Sequence, residues 1–332
     1  AGLALEHNRS QSRPISRDQR RSQTQLVECR EMMAEFEATG LLDRTLEGLP
    51  DRETLRARRA TFLGLTRPEL AVLLAYDKMH VARLLGSDVV CEDPYLEQVL
   101  FAYFPPRLVE RCRDAIRVHR LRREIIATTL TNGIVDLMGT TFVTRTVRES
   151  GATAPEVARA FVVIEALTGA QALAARAGEA GPEGEVRYLD TLVAAVERAV
   201  RWLLAAYPNI GELEPMIERF RDAIARVERA LPTAEVDRLR ARSAELTAAG
   251  VPAPLANASV RLEGLRAALD IVHVAATASV APTEVAAAYW GVGEIFDFAW
   301  LRQALDRAAG EDRWERRAVE SLSAELDDLR RE

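Results

Sequence analysis

The sequence predicts an all-α protein, an irregular multi-helix bundle of roughly twelve to fourteen helices. Three observations lead there. Ala, Leu, Arg and Glu dominate the chain, a mixture that favours helix by intrinsic propensity. Apolar residues recur at intervals of three and four, while strand-length alternation and fixed-period repeats are missing. The breaks fall at Gly and Pro, which stop or start helices through local backbone chemistry.

Residues 1–19 are polar and rich in Arg, Ser and Gln, which predicts a connector arm. A helix is expected from 19 to 38, carried by Leu26, Cys29, Met33 and Phe36 and stopped at Gly40. Residues 41–50 read as a short amphipathic turn, and 51–60 as a charged helix with little core to offer. Thr66, Pro68 and Glu69 spell a helix start, because Glu three residues after a capping Thr completes a capping box. Leu70, Leu73, Leu74, Asp77, Val81 and Leu84 form that helix's expected face, and Gly86 its end. Asp77, the polar member, should pair with an Arg or lie at the edge.

Residues 92–119 read as two helices split at Pro105-Pro106, since proline removes an amide donor and clashes with a continuing turn. The stretch 119–145, HRLRREIIATTLTNGIVDLMGTTFVTR, is the most informative in the chain. Ile126, Leu130, Ile134 and Leu137 make one stripe that Gly139 terminates. Thr140 is expected to cap a short helix closed by Gly151, and Pro155 to open another ending near Arg176.

Residues 178–185, GEAGPEGE, predict a linker between helical subdomains 20–177 and 186–332, which could still pack as one domain. Beyond it, stops at Tyr207-Pro208-Asn209, Leu231-Pro232, Gly250 to Pro254 and Ala281-Pro282 predict four or five more helices.

Composition excludes several classes. With 44 basic and 50 acidic residues the net charge is −6, the wrong balance for a general nucleic-acid binder. No uncharged apolar run approaches the roughly twenty residues of a membrane span. The first residues are polar where a signal peptide has its apolar core, and Cys29, Cys91 and Cys112 are scattered, so a cytoplasmic protein with reduced thiols is expected. Lys78 is the only lysine; every other basic side chain but His is Arg. Arginine stays protonated and cannot act as a Schiff-base amine, so chemistry that needs two lysines is excluded.

No motif supplies an active site. Gly291-Val292-Gly293-Glu294-Ile295-Phe296 lacks the third glycine of a dinucleotide turn and follows no strand, so close helix packing at small residues is the expected reason for it. Asp270 and His273 share a helix face like half of a di-metal motif whose other half is missing, which favours a hydrogen-bonded histidine over a ligand. Cys29 and Cys112 are expected as small core residues. Tyr289, Trp290, Phe296, Phe298 and Trp300 should pack a core or meet another domain. Arg120, Arg122 and Arg123, at a helix start beside His119, are candidates for an anion or carboxylate contact. Salt bridges to neighbouring acids are the competing use of the same arginines.

Several strings together resemble one family. GLLDRTLEGLP, GLTRPELAVLLAYDKM, DPYL, YFPPRLVER and the 119–145 stretch come first, followed by ESGA, EVARAF, RWLL and GVGEIFDFAWLRQAL. In order and spacing they are similar, from about Leu41 onward, to the C-terminal region of the large bacterial NAD-specific glutamate dehydrogenases. Gly133 and Asp136 depart from the pattern, standing where the family leads one to expect more bulk and an Asn or Arg. The resemblance implies a parent enzyme that converts L-glutamate, NAD and water to 2-oxoglutarate, ammonium and NADH. Its catalytic lysines, aspartate and NAD-binding Rossmann domain would belong to a module preceding this region, and residues 1–19 would lead from it. This chain is then expected to hold no catalytic, cofactor or metal residues. It would be a scaffold or regulatory domain whose partners are its own catalytic module and the other subunits of a homo-oligomer. An effector module for an amino acid or small carboxylate, or a free-standing helical adaptor, are the alternatives.

Overall fold

The computed structural model describes residues 26–308 together with 318–319, 322, 325–326 and 329. Among these the protein is helical and contains no strand. The chain clusters into two compact units, Ala1–Glu214 and Pro215–Glu332. The expected arm at 1–19 lies outside the described residues.

In the first unit, α1 (Leu26–Ala38) buries Cys29, Met32, Met33 and Phe36. They share a core with Leu42, Leu49, Leu55, Leu65, Leu70 and Leu73. Burying one such side chain contributes about 1.5–3 kcal/mol. α2 (Arg52–Ala60) starts where the Asp51 carboxylate accepts from the Thr54 amide, and it buries only Leu55. Its sequence contains nothing else to bury.

α3 (Arg67–Ser87) begins with the predicted capping box, the Thr66 amide donating to Glu69 Oε2 at 2.7 Å. Its buried face ends in Leu85 rather than the expected Leu84. The helix also runs through Gly86, where an added Cβ would stand 3.7 Å from Ala127 Cβ. Two 3-10 turns, Val89–Glu92 and Pro94–Leu96, lead to α4 (Glu97–Tyr103) and, after the prolines, to α5 (Pro106–Arg117).

α6 (Arg122–Met138) is the hub of the unit. It packs against α3 and α4 and buries eight residues, among them all four of the predicted stripe. Gly139 ends it at φ +92, a conformation that costs a glycine little. The cap of α7 (Phe142–Ser150) is Thr141, not Thr140, and its side chain makes no capping hydrogen bond. Thr141 holds φ +80, strained for a β-branched residue.

α8 (Ala154–Thr168) opens with a second capping box between Thr153 and Glu156. The helix expected to reach Arg176 stops at Gly169, φ +62, and a short turn of helix, Ala170–Ala175, follows. Residues 178–185 are not an extended connection. Gly178 belongs to the 3-10 turn Ala177–Ala180, and α9 (Gly181–Ala206) begins at Gly181, with Pro182 in its first turn. Proline at that position starts a helix instead of breaking one. α9 packs against α8.

The second unit comprises α10 (Leu213–Arg229, whose first two residues fall in the first unit), α11 (Thr233–Ala248), α12 (Ala253–Ala278), α13 (Pro282–Ile295) and α14 (Phe298–Ala308). α12 supplies the core with Leu255, Leu269, Ile271 and nine further buried residues. α11 packs on α12 yet buries none of its own side chains. The break between α13 and α14 falls at Asp297, φ +48, whose Oδ1 accepts from the Trp300 amide.

Candidate functional site

The 119–145 stretch sets the candidate arginines at the start of α6. Arg122 Nη1 donates to Glu92 Oε2 at 2.7 Å and to the Cys91 carbonyl at 3.2 Å. Arg123 Nη2 donates to the Asp88 carbonyl at 2.7 Å, and its Nε lies 3.1 Å from Glu92 Oε1. Both arginines therefore clasp the Val89–Glu92 turn. Arg120 is exposed and has no ion pair among the described residues. His119 Nδ1 accepts from the Leu121 amide while the ring meets Phe104 edge-on at 5.9 Å. The three arginines are thus divided between two uses, two as ties and one free.

Deeper along α6 the chemistry-bearing residues face α3 and α7. Lys78 Nζ donates to Asp136 Oδ1 at 2.6 Å, so the lone lysine and one of the two departures from the family pattern form a single interhelix ion pair. Asp77 is fully buried rather than at an edge, and Thr144 Oγ1 donates to its Oδ1 at 3.4 Å. Thr131, Thr140 and Thr141 are buried as well. The second departure, Gly133, makes room for a side chain: an added Cβ would come within 2.9 Å of Gln171 Oε1.

Gln171 leads to a residue that the sequence reading missed. The Gln171 amide donates to both oxygens of Glu165, at 3.2 and 3.1 Å, where the carboxylate caps the short helix 170–175. Burial pushes the Glu165 carboxyl up to about 7, and the hydrogen bonds from the Gln171 and Ala170 amides only partly oppose it. Asp93, also missed, is buried. Its Oδ2 accepts from Arg159 Nη1 and the Leu213 amide, both at 3.2 Å, and Arg159 donates onward to the Gly211 carbonyl at 2.9 Å. The Asp93-Pro94 dipeptide, a turn signal, was the available clue to Asp93. No motif in the sequence announces Glu165.

Other candidates resolve one by one. Cys29 is a core residue, but Cys112 is exposed, because only part of α5 finds a neighbour to pack on. Cys91 is buried, and burial pushes its thiol up to about 11, the mark of an unreactive cysteine. The string from Gly291 lies in α13 up to its C-cap, Phe296; an added Cβ at Gly291 would meet nothing within 4 Å, whereas Gly293 is buried, so close packing fits the second glycine and not the first. Asp270 is buried and accepts from Arg266 Nε at 3.0 Å. Of the aromatic group, Tyr289, Trp290 and Phe298 are buried, while Phe296 and Trp300 face solvent. Among the described residues no three His, Cys, Asp or Glu side chains cluster as a metal site would, and no helix is long and apolar enough to cross a membrane.

Residues 63–332 match the family described as glutamate dehydrogenase, C-terminal. This chain belongs to that family. Relatives include the NAD-specific glutamate dehydrogenase of Pseudomonas aeruginosa, 32% identical over 335 residues that cover 98% of this chain and 21% of that protein. The protein of the same description from Halomonas elongata is 32% identical, with 90% of this chain and 19% of the relative covered. A third, from Mycobacterium tuberculosis, is 30% identical, with 82% and 17% covered. The chain therefore spans about a fifth of the length of the curated relatives it matches. The family strings converge on α3 and α6, the most heavily packed pair in the first unit.

Proposed function

We propose that this chain is a non-catalytic helical domain of an NAD-specific glutamate dehydrogenase, packing against the catalytic module or a neighbouring subunit of the same enzyme. One observation supports this above the others. Three of the four charged side chains of the most family-specific helix, α6, are engaged in internal ties: Asp136 with Lys78 of α3, and Arg122 and Arg123 with Glu92. Lys78 is held by a carboxylate at 2.6 Å, so its amine is engaged in an interhelix tie and is not presented to a substrate. NAD, glutamate and the chemistry between them then belong to the remainder of the longer polypeptide, and the protein works in the cytoplasm.

Purified alone, the chain is expected to fold and to show no glutamate-dependent reduction of NAD. Turnover by the isolated chain overturns the reading. The effector reading has less support, because only Arg120 of the three candidate arginines is left without an ion pair.

A further inference from the structure

Between residues 107 and 123 seven arginines stand against two acids, Glu110 and Asp114, in a chain that is acidic overall. Four of the seven are occupied. Arg122 and Arg123 clasp the Val89–Glu92 turn, Arg117 pairs with Glu97 and Asp114, and Arg113 lies over the Phe101 ring at 4.0 Å. Arg107, Arg111 and Arg120 are exposed and have no ion pair among the described residues.

These free arginines border an apolar stripe. α5 turns Ile116 inward, but Leu108, Cys112 and Ala115, spaced by four and three across a bend at Cys112, stay exposed. Leu108 and Cys112, four apart, share a face of the first part of α5 with Arg107 and Arg111 along its edge, and the exposed Ala115 follows the bend. The stripe continues past the helix end into Val118, 81% exposed, and Leu121, 47% exposed, beside Arg120.

We propose that this stripe is the docking surface for an acidic amphipathic helix from the remainder of the longer polypeptide. The proposal rests on the reading above that such a remainder packs against this domain, and it names the surface used. Charge selects the occupant: three arginines with no ion pair among the described residues border the stripe, Arg107 and Arg111 on the helix and Arg120 beyond its end, and call for carboxylates opposite. Size selects a helix. Cys112 and Ala115 at the middle of the stripe are small, which lets a second helix approach to the usual 8–10 Å between axes. A membrane-seeking helix would instead present bulky apolar and aromatic residues along its length.

Cys112 reports on the surface directly, with buried Cys29 and Cys91 as internal controls. In the native full-length polypeptide, maleimide should modify Cys112 at least about tenfold more slowly than in the urea-unfolded protein, as expected of a covered thiol. The double variant Arg107→Glu, Arg111→Glu should restore fast labelling without exposing Cys29 or Cys91. Benzophenone-maleimide attached at Cys112 should photo-cross-link to an acidic helix outside this region. Labelling at the unfolded rate in the native full-length protein overturns the proposal. So do cross-links into a second copy of this region, or flotation of the full-length protein with phosphatidylglycerol vesicles that the double variant abolishes. Carboxylate-directed cross-links between this region and the remainder separate the two ideas. If those persist while Cys112 is open, the packing reading stands and the stripe does not; if none form anywhere, both fall.

Discussion

α5 and α6 are neighbours in sequence and both carry arginine, yet they use it in opposite ways. α6 buries one whole side against α3 and α4, and its arginines hold the Val89–Glu92 turn. α5 buries a single side chain, and two of its arginines, Arg107 and Arg111, stay at the surface with no ion pair among the described residues. The difference teaches that an arginine's role follows from what its helix packs on. Where the fold supplies carboxylates and carbonyls within reach, arginine becomes structure. Where a helix has only half a neighbour, both its arginines and its apolar edge remain open for a partner.

The contrast can be broken in several ways. The largest effect should come from Ile134→Ala, which removes a fully buried stripe residue of α6 and is expected to cost about 2–5 kcal/mol in urea unfolding. Leu108→Ala on α5, 42% exposed, should stay within about 0.5 kcal/mol. Equal losses would erase the distinction between the two helices.

Next comes a pH effect at the support of α6, where Gln171 joins Glu165 to Gly133. The Glu165 pKa is raised in the folded state, from an ordinary 4.5 to about 7. Its contribution is therefore fully present below pH 4.5 and lost as pH rises through 7. The loss is on the order of 2 kcal/mol after discounting for partial exposure. Glu165→Gln should flatten this part of the stability–pH curve, and an unchanged slope in the variant would assign it elsewhere.

Arg122→Ala should cost about 1–2 kcal/mol, because it leaves Glu92 and the Cys91 carbonyl short of a donor. Arg120→Ala, two residues earlier and without an ion pair among the described residues, should change stability by less than about 0.5 kcal/mol. A matched pair of losses in thermal unfolding would show that the two arginines are used alike after all.

How far the sequence discloses this arrangement depends on the range of the cause. The capping box at Thr66, the stop at Gly139 and the stripe from Ile126 to Leu137 are local grammar, and they stand in the structure as read. The box at Thr153 and Glu156 has the same grammar and was open to the same reading. Periodicity tells which residues share a face, but not whether anything covers it. That is why Cys112 reads as core and is exposed, and why Leu84 reads as core where Leu85 is. The ties between Arg122 and Glu92, Lys78 and Asp136, and Asp93 and Arg159 join residues 30 to 66 positions apart. Only the fold brings such partners together.

Glu69 has a consequence of another kind. Its carboxylate completes the cap of α3 through the Thr66 amide, and it also receives both Arg58 amino groups from α2, at 2.7 and 2.9 Å. Burial works against its charge, and the hydrogen bonds from Arg58 and Thr66 prevail, so its pKa is lowered in the folded state. One side chain therefore locks two helices that have no other polar feature in common. Their opening is expected to be coupled, because lifting α2 away takes Arg58 from the carboxylate that also caps the first turn of α3. The two behave as a single foldon, whose amides should exchange with solvent in step and whose protection should fade together as acid claims that one carboxylate.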